Sequence, residues 1–564
     1  MKKNVVNGRL YDMVRYYNMR ELVEDVSSRY SDNTAFLFHD GEGVAEIKYS
    51  QLGDDVRSFA TYLNSLGLEG EKVVVIGKNS YEWALTYLTV TSGVGIIVPM
   101  DKDLSEDQID YLIEDSEPKC IVYGKETEEK LTQRKEDIHY IRFDEVSSCV
   151  SQGKKLRENG DQSYDSHKVK SDELGILIYT SGTTGISKGV MLSQNNIMSN
   201  VYNVKTTIMI YPEDRCVSVL PLHHTYECMA GFLAFIASGS SIAYNESLRE
   251  LASDLLLFKP TVIVGVPVLF EKLYRIVLKK YASLKGGNAV LSIQGAFASM
   301  LGNSKARRKI FNSVNEAFGG NLNRILCGAA SLKPEVFEGY RRFGYGVYQG
   351  YGLTETSPVC MVSSDVYSSS NDTGYPIPET EMKLESENSE GVGELLVRGP
   401  NVMLGYYKNP SATSDVIDSE GWFHTGDLAK VTEQGTYKIV GRVKSMIVLP
   451  SGKKVFPEEL EFYLQKSPLV SGCFVFGNEE NDNVVVTASI YPDKAELREA
   501  VAKVKGPESD EDKAEKLIHK LVDEVNSKFP AYKNIKRIII RKTDFEKTTT
   551  LKIKRMSEKN KEEL

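Results

Sequence analysis

Tyr179-Thr-Ser-Gly-Thr-Thr-Gly-Ile-Ser-Lys188-Gly189 is the stretch from which the rest of this chain can be read. Its glycines and small hydroxyl residues suit a loop whose backbone N–H groups wrap phosphate oxygens. The apolar run Leu174–Tyr179 ahead of it reads as a buried strand. A strand feeding a phosphate loop is the layout of nucleotide sites. It is not a Walker A loop, which needs Gly-Lys-Ser/Thr after its spacer; here Lys188 stands between Ser187 and Gly189. Transfer of a γ-phosphoryl group therefore loses its support. Alone, such a stretch competes with a plain surface turn, so the reading depends on what surrounds it.

Upstream, short apolar runs alternate with amphipathic segments. Lys72–Gly77, Gly95–Pro99 and Lys119–Tyr123 read as strands, Tyr81–Val94 and Glu106–Glu114 as helices. That βαβ rhythm predicts parallel sheet with helices on both faces. The polar stretch Ser151–Lys170 reads as a flexible connection. Beyond the loop the rhythm resumes, with strands at Lys259–Pro267, Asn323–Gly328 and Gly344–Tyr348 and a helix at Leu269–Lys280. After about Gly393, Glu394–Arg398 and Thr436–Val440 alternate like antiparallel strands. From Lys444 onward a small α+β unit follows, with helices at Pro457–Gln465 and Asp512–Lys528 and strands at Cys473–Phe476 and Val484–Ile490. The expected fold is α/β: a large N-terminal domain of parallel and mixed sheets layered with helices, plus a β-rich subdomain (1–440), a hinge (441–444), and a small mobile C-terminal α+β domain (445–564).

Composition removes several classes. Hydrophobic residues at 41% and charged residues at 26% are ordinary for a globular protein. A net charge of −9 disfavours nucleic acid as a partner. Seven cysteines lie scattered at 120, 149, 216, 228, 327, 360 and 473 without a C-x-x-C pair, which points to a reducing, cytoplasmic setting without disulfides or zinc. No apolar run follows Met1-Lys-Lys-Asn, so no signal peptide is expected. The runs Trp83–Met100 and Met229–Tyr244 are broken by Gly, Ser and Thr and read as core rather than membrane spans; any membrane contact would be peripheral.

Five further clusters carry chemistry. Gln349-Gly-Tyr-Gly-Leu-Thr-Glu355-Thr-Ser357 follows a strand and offers hydroxyls and a carboxylate suited to ribose, phosphate and a hard Mg²⁺. Gly421-Trp-Phe-His-Thr-Gly-Asp427 presents an Asp that can accept ribose hydroxyls, or simply close a hairpin turn. Gly441-Arg-Val-Lys444-Ser stands where composition shifts, as a hinge or an ordinary linker. Pro221-Leu-His223-His224-Thr-Tyr226-Glu is a His pair with no third residue at metal-ligand spacing. From Lys533 to Arg555, nine Lys/Arg against two acidic residues give a local +7. That stretch either holds anionic groups or is a solvated tail.

Taken in order, these clusters resemble the adenylate-forming superfamily, and specifically its long-chain fatty acyl-CoA synthetase branch. The likeness runs from about Met19 to Arg555, and Gly441–Glu461 and Lys259–Tyr274 particularly resemble the fatty-acid branch. It implies an ATP-dependent fatty acid–CoA ligase: the carboxylate attacks the α-phosphate of ATP, pyrophosphate leaves, and a thiol displaces AMP from the acyl-adenylate. By the same resemblance Thr180, Ser181, Gly182, Thr183, Thr184 and Lys188 hold the β,γ-phosphates. Thr184 and Glu355 position Mg²⁺. Gly328, Ala329, Ala330 and Tyr351 surround adenine, with Gly352 and Thr354 in the same nucleotide site, and Thr356 contacts the α-phosphate region. Asp427 and Arg442 take the ribose hydroxyls.

Lys552 matches the family's catalytic lysine, although Leu551 precedes it where the family often has Gly; Lys554 is its neighbour, and the Ile-Lys-Arg continuation favours Lys552. His224 lies near the acyl carboxylate, Lys444 at the hinge, and Gly452 in the wall of the pantetheine tunnel. Tyr226–Phe235, Val264–Leu269 and Gly328–Leu332 are candidate lining of an apolar pocket for a medium- to long-chain acid. An acyl carrier protein in place of CoA, or another carboxylic acid, remains an alternative. Retention of Glu355, Asp427, Arg442 and Lys552 argues against a non-catalytic acyl-adenylate binder.

Overall fold

The computed structural model describes residues 10–41, 43–181, 187–282, 294–295, 298, 303–449, 453–480, 483–548, 553–555 and 557–562. The chain groups into two compact units, Met1–Met382 with Val397–Phe423, and Lys383–Leu396 with His424–Leu564.

In the first unit the expected rhythm builds a seven-stranded sheet among the described residues. Lys72–Ile76 lies between Ile96–Met100 and Cys120–Tyr123, all parallel. Val73, Val74 and Val75 are buried on both faces, as near-continuous apolar strands require. The helix Tyr81–Gly93 starts at Ser80, whose side chain accepts from the Trp83 N–H, and every residue from Trp83 to Gly93 is buried. The helix Glu106–Ser116 begins with a reciprocal cap between Ser105 and Gln108.

Leu174–Ser181 and Ser187–Ser193 are antiparallel, with Thr180 opposite Lys188 and Ser181 opposite Ser187. The phosphate-loop segment thus joins two hairpin strands rather than a strand and a helix. Ser187–Ser193 pairs in turn with Gly405–Tyr406. A second, nine-stranded sheet carries Val359–Val362, Gly346–Gly352, Arg324–Cys327, Val262–Gly265 and Arg215–Ser218 as consecutive neighbours. Arg215–Ser218, Val262–Gly265, Arg324–Cys327 and Gly346–Gly352 run parallel, so their C-terminal ends share one edge.

Two expectations change. Ser151–Lys170 is not a flexible connection: a helix spans Val146–Glu158 and a short one Ser163–Ser166. The long helix buries Val146, Cys149 and Gly153. A Cβ at Gly153 would lie 1.8 Å from the Ser58 carbonyl oxygen, so this glycine marks a close helix crossing. Second, the strand expected to end at Tyr348 continues to Gly352, and the turn follows at Thr354–Thr356. A Cβ at Gly352 would meet the Pro358 carbonyl oxygen at 1.7 Å; here the glycine serves a backbone crossing inside the strand end.

The second unit contains a four-stranded sheet, in which Phe423–Val431 pairs antiparallel with Tyr437–Arg442, and a three-stranded sheet of Val470–Glu480, Asn483–Pro492 and Arg537–Ile540. Pro457–Leu464 and Asp510–Asn526 are helical, as expected, and Lys494–Lys503 adds a helix that the sequence reading lacked. Strand residues Leu428 and Val440 form a small core with Phe456. That packing groups most of the four-stranded sheet with the C-terminal segment and puts the division between compact units ahead of residues 441–444. All seven cysteines are buried thiols.

Candidate active site

In the first unit, separate clusters of the sequence come together at the strand ends. The Lys188 ammonium lies 4.6 Å from the centre of the Tyr406 ring. The Tyr406 hydroxyl donates to Glu355 Oε1 at 2.9 Å. Burial, and the carboxylate it faces, push the Tyr406 hydroxyl's pKa up, so it stays a donor. Lys188, Tyr406 and Glu355 therefore form one assembly, fixed by pairing of Tyr406 with Val190 and by the Met403 N–H donating to the Glu355 carbonyl at 2.9 Å.

The turn carrying Glu355 is clamped from two distant segments. Asn200 Nδ2 donates to the Val359 carbonyl at 2.7 Å and Asn401 Nδ2 to the Thr356 carbonyl at 3.1 Å, both from fully buried positions. The Thr225 and Thr354 hydroxyls lie 3.3 Å apart, which brings the His223-His224-Thr225 segment to the same turn. The two imidazoles are 4.2 Å apart between centroids. His223 is buried, and burial pulls its pKa down to about 3, so it is neutral at physiological pH. Its Nε2 is 3.6 Å from Asp101 Oδ2, too far for a hydrogen bond. His224 is half-buried.

At the expected adenine position, Gly328 packs against the Tyr226 ring, where a Cβ would come within 2.5 Å of the aromatic carbons. Ala329 follows with φ +68°, a left-handed conformation rare outside glycine and common at ligand sites. Ala330 is exposed and Tyr351 half-buried.

Below lies a small apolar cavity of about 40 Å³. Tyr226, Met229 and Ala230 form one wall and Leu326, Tyr348 and Gly350 another. Met229 and Ala230 sit in a π-helical segment, Glu227–Leu233, a rare geometry frequent at functional sites.

In the second unit, Asp427 and Arg442 occupy opposed positions on neighbouring strands, with Arg442 Nε 2.7 Å from Asp427 Oδ1. The carboxylate is buried and the guanidinium half exposed. Lys444 sits in the exposed turn Val443–Ser445. Gly182, Thr183, Thr184, Gly452 and Lys552 lie outside the described residues, as does the side chain of Ser181. Ile553 bridges to Lys547, and Arg555 holds Glu461 at 2.5 Å and Glu458 at 3.4 Å. Lys533 pairs with Glu459 and Lys547 with Asp544. Three of the nine basic residues of that stretch are therefore paired within their own unit.

A family model described as "AMP-binding enzyme" matches residues 23–407, and one described as "AMP-binding enzyme C-terminal domain" matches residues 444–561. The chain belongs to the AMP-binding enzyme family. Among its relatives, a long-chain-fatty-acid–CoA ligase of Mycobacterium bovis is 30% identical over 78% of this chain and 76% of its own length. A chloroplastic long-chain-fatty-acid–[acyl-carrier-protein] ligase of Arabidopsis thaliana is 26% identical over 84% of this chain and 76% of its own. An anthranilate CoA ligase solved with anthranoyl-AMP superposes with a TM-score of 0.76 at 19% identity, covering 96% of this chain and 97% of that one. The ATP-bound MatB of Rhodopseudomonas palustris gives 0.74 at 21% identity, covering 95% and 97%. At these identities the two structures show the shared adenylate-forming fold.

The geometry bears on two further expectations for this AMP-binding enzyme. Thr356 is fully buried, and its hydroxyl is bonded to the Pro358 carbonyl at 2.7 Å and the Leu353 carbonyl at 3.0 Å. Its hydroxyl holds the turn, while Thr354 beside it is half-buried. Of the expected pocket lining, the Tyr226–Phe235 segment contributes, whereas Val264–Leu269 and Gly328–Leu332 do not line the cavity. Leu326, Tyr348 and Gly350 line this cavity as well.

Glu227, inside the π-helical segment, is fully buried, and burial pushes its carboxyl up to about 8. Ser218 Oγ donates to Oε1 at 2.6 Å, Asn79 Nδ2 donates to Ser218 Oγ at 3.0 Å, and Oε2 has no partner. A carboxyl whose pKa is raised by folding stabilises the fold fully below its usual 4.5, and that contribution is lost as pH rises through about 8. Thermal midpoints of the wild type should thus fall relative to Glu227→Gln across that window. A difference between the two that does not change with pH would contradict the buried neutral carboxyl.

Proposed function

We propose that this AMP-binding enzyme joins a fatty acid to a phosphopantetheine thiol through an acyl-adenylate, consuming ATP and releasing AMP and pyrophosphate. The observation that carries the reading is the assembly of Lys188, Tyr406 and Glu355 with Thr354 and Thr225, which adjoin in sequence the segments lining an apolar cavity. Cationic and hydroxyl groups there suit a polyphosphate, and the apolar lining of the cavity suits methylenes of an acid whose carboxylate faces the α-phosphate. Lys188, Thr180 and the 182–186 loop are assigned to the β,γ-phosphates, Thr354 to the α-phosphate, and the Gly328–Ala330 turn with Tyr351 to adenine. His224 is assigned to the acyl carboxylate, and neutral His223 backs it. Asp427, with Arg442 fixing it, is assigned to the ribose.

Mg²⁺ is a fitting partner for Glu355: the donor is a half-buried carboxylate with one oxygen committed to Tyr406 and a hard oxygen left over. Glu355 and Thr184 would hold it, and it would neutralise charge on the departing pyrophosphate. Lys552 is assigned the charge developing between carboxylate and α-phosphate. Residues 441–444, with Lys444, are assigned as the hinge, and Gly452 as wall of the thiol channel. The start of the C-terminal family match at residue 444 supports that boundary.

CoA is the favoured acceptor, since relatives from Mycobacterium bovis, Arabidopsis thaliana and Rattus norvegicus are named as CoA ligases or acyl-CoA synthetases. The carrier-protein ligase, which matches a larger share of this chain than the Mycobacterium bovis relative does, keeps acyl carrier protein as the second reading. No helix among the described residues is long and apolar enough to cross a membrane. The test is turnover of a panel of straight-chain acids with ATP and Mg²⁺, with CoA and with holo-acyl carrier protein offered separately. Acyl-CoA at the higher kcat/KM supports the reading; acyl-carrier protein alone replaces the acceptor; no acid-dependent AMP with any fatty acid overturns it.

A further inference from the structure

The apolar cavity is lined by Leu326 and Cys327 of the 324–327 strand and by Tyr348, Gln349 and Gly350 of the 346–352 strand, residues that precede the strand ends carrying Gly328 and Tyr351. Gly350 and Tyr348 lie two apart on the same strand. At strand rise, the Tyr348 position lies only ~7 Å below Gly350. Ile208 and Ile210 also line the cavity. They belong to the connection that leads into the first residue of the 215–218 strand, at the opposite edge of the sheet from Gly328.

Tyr348 is held in that place from outside the cavity. Its hydroxyl donates to Asp365 Oδ1 at 2.6 Å. The other carboxylate oxygen accepts from the Tyr11 hydroxyl and from the Met209 N–H, each at 2.8 Å. Arg324 bonds the Met209 carbonyl and Asp214, and Tyr11 is itself tied by its N–H to the Thr206 carbonyl at 3.1 Å. One carboxylate thus joins the Tyr348 ring to the backbone between Ile208 and Ile210 and to the N-terminal segment. Burial and Asp365 both raise the Tyr348 hydroxyl's pKa, which keeps it a donor. Nothing in the nucleotide assembly uses Asp365, so the network's evident consequence is a fixed aromatic floor.

We propose that Tyr348, tethered through Asp365, is the floor of the acyl pocket and the residue that sets the length of acid accepted. This rests on the fatty-acid reading given above. Tyr348 is the specificity-determining group, and Asp365 is its positioning residue. An acid whose chain reaches past Gly350 meets the ring. Removing the ring extends the pocket toward Met209, and each additional methylene buried there is worth roughly three- to fourfold in binding.

The experiment measures kcat/KM on saturated acids from six to eighteen carbons for wild type, Tyr348→Ala, Tyr348→Phe and Asp365→Ala. Tyr348→Ala should move the optimum to a longer acid and raise the ratio of long- to medium-chain kcat/KM by about tenfold or more. Asp365→Ala, which keeps the ring but frees it, should move the ratio the same way by a smaller factor, and Tyr348→Phe should resemble it. A general loss of packing lowers activity on all acids without changing the ratio, so an unchanged ratio in an active Tyr348→Ala overturns the proposal. If Tyr348→Ala does not fold, an unchanged ratio in Tyr348→Phe and Asp365→Ala overturns it equally. Wild type inert toward every acid overturns the fatty-acid reading itself, a separate outcome.

Discussion

Lys552→Ala loses about 10²–10³-fold in adenylate formation, while thioester formation from supplied acyl-adenylate stays within a few-fold of wild type. When a carboxylate attacks the α-phosphate, two anions approach and negative charge concentrates between them. A lysine is a compact point charge that serves that position without accepting a proton. It has no equivalent task once the adenylate exists, because the second step expels AMP from a carbonyl carbon. The segment around Lys552 is anchored on its C-terminal side: Ile553 pairs with Lys547, the Lys554 N–H donates to the Glu546 carbonyl at 2.9 Å, and Arg555 grips Glu461 and Glu458. Acid-dependent exchange of pyrophosphate into ATP reads the first half-reaction alone. Full exchange in Lys552→Ala, with the loss appearing in Lys554→Ala instead, would move the role by two residues.

Glu355→Gln should cost a comparable ~10²-fold in the same exchange and raise the Mg²⁺ concentration needed for half-maximal rate. The substitution keeps shape and the bond from Tyr406 while removing the negative charge that a hard cation needs. Tyr406→Phe separates the two roles. It removes a donor worth about 1–2 kcal/mol to a charged partner and leaves the carboxylate in place, so its loss should be roughly tenfold. An unchanged Mg²⁺ requirement in Glu355→Gln would contradict the assignment of that carboxylate to the metal.

The outer architecture was legible because parallel strands covered on both faces must be apolar throughout: Lys72–Ile76 and Cys120–Tyr123 announce themselves. The helix over Val146–Glu158 was not, since its weakly apolar face includes Gly153, which reads as a breaker until the Ser58 backbone is seen beside it. In the site, glycine and hydroxyl motifs pointed to Lys188, Thr354 and Glu355. Tyr406, Asn200, Asn401 and Asp365 carried no such signal. Each acts by a bond to a residue far away in sequence, as when Tyr406 reaches Glu355 or Tyr11 reaches Asp365, and no local periodicity records such a bond. Thr356 shows the converse: a hydroxyl inside the right motif is consumed by the turn it stabilises.

The central claim is that the acid is activated as an adenylate. Its most direct test is turnover of a fatty acid whose carboxylate carries heavy oxygen, with ATP, Mg²⁺ and CoA, followed by mass analysis of the nucleotide products. Attack on the α-phosphate and thiol displacement at the carbonyl leave one labelled oxygen in AMP, and the account predicts labelled AMP in step with acyl-CoA. Label recovered in inorganic phosphate beside ADP would contradict it and indicate an acyl-phosphate route.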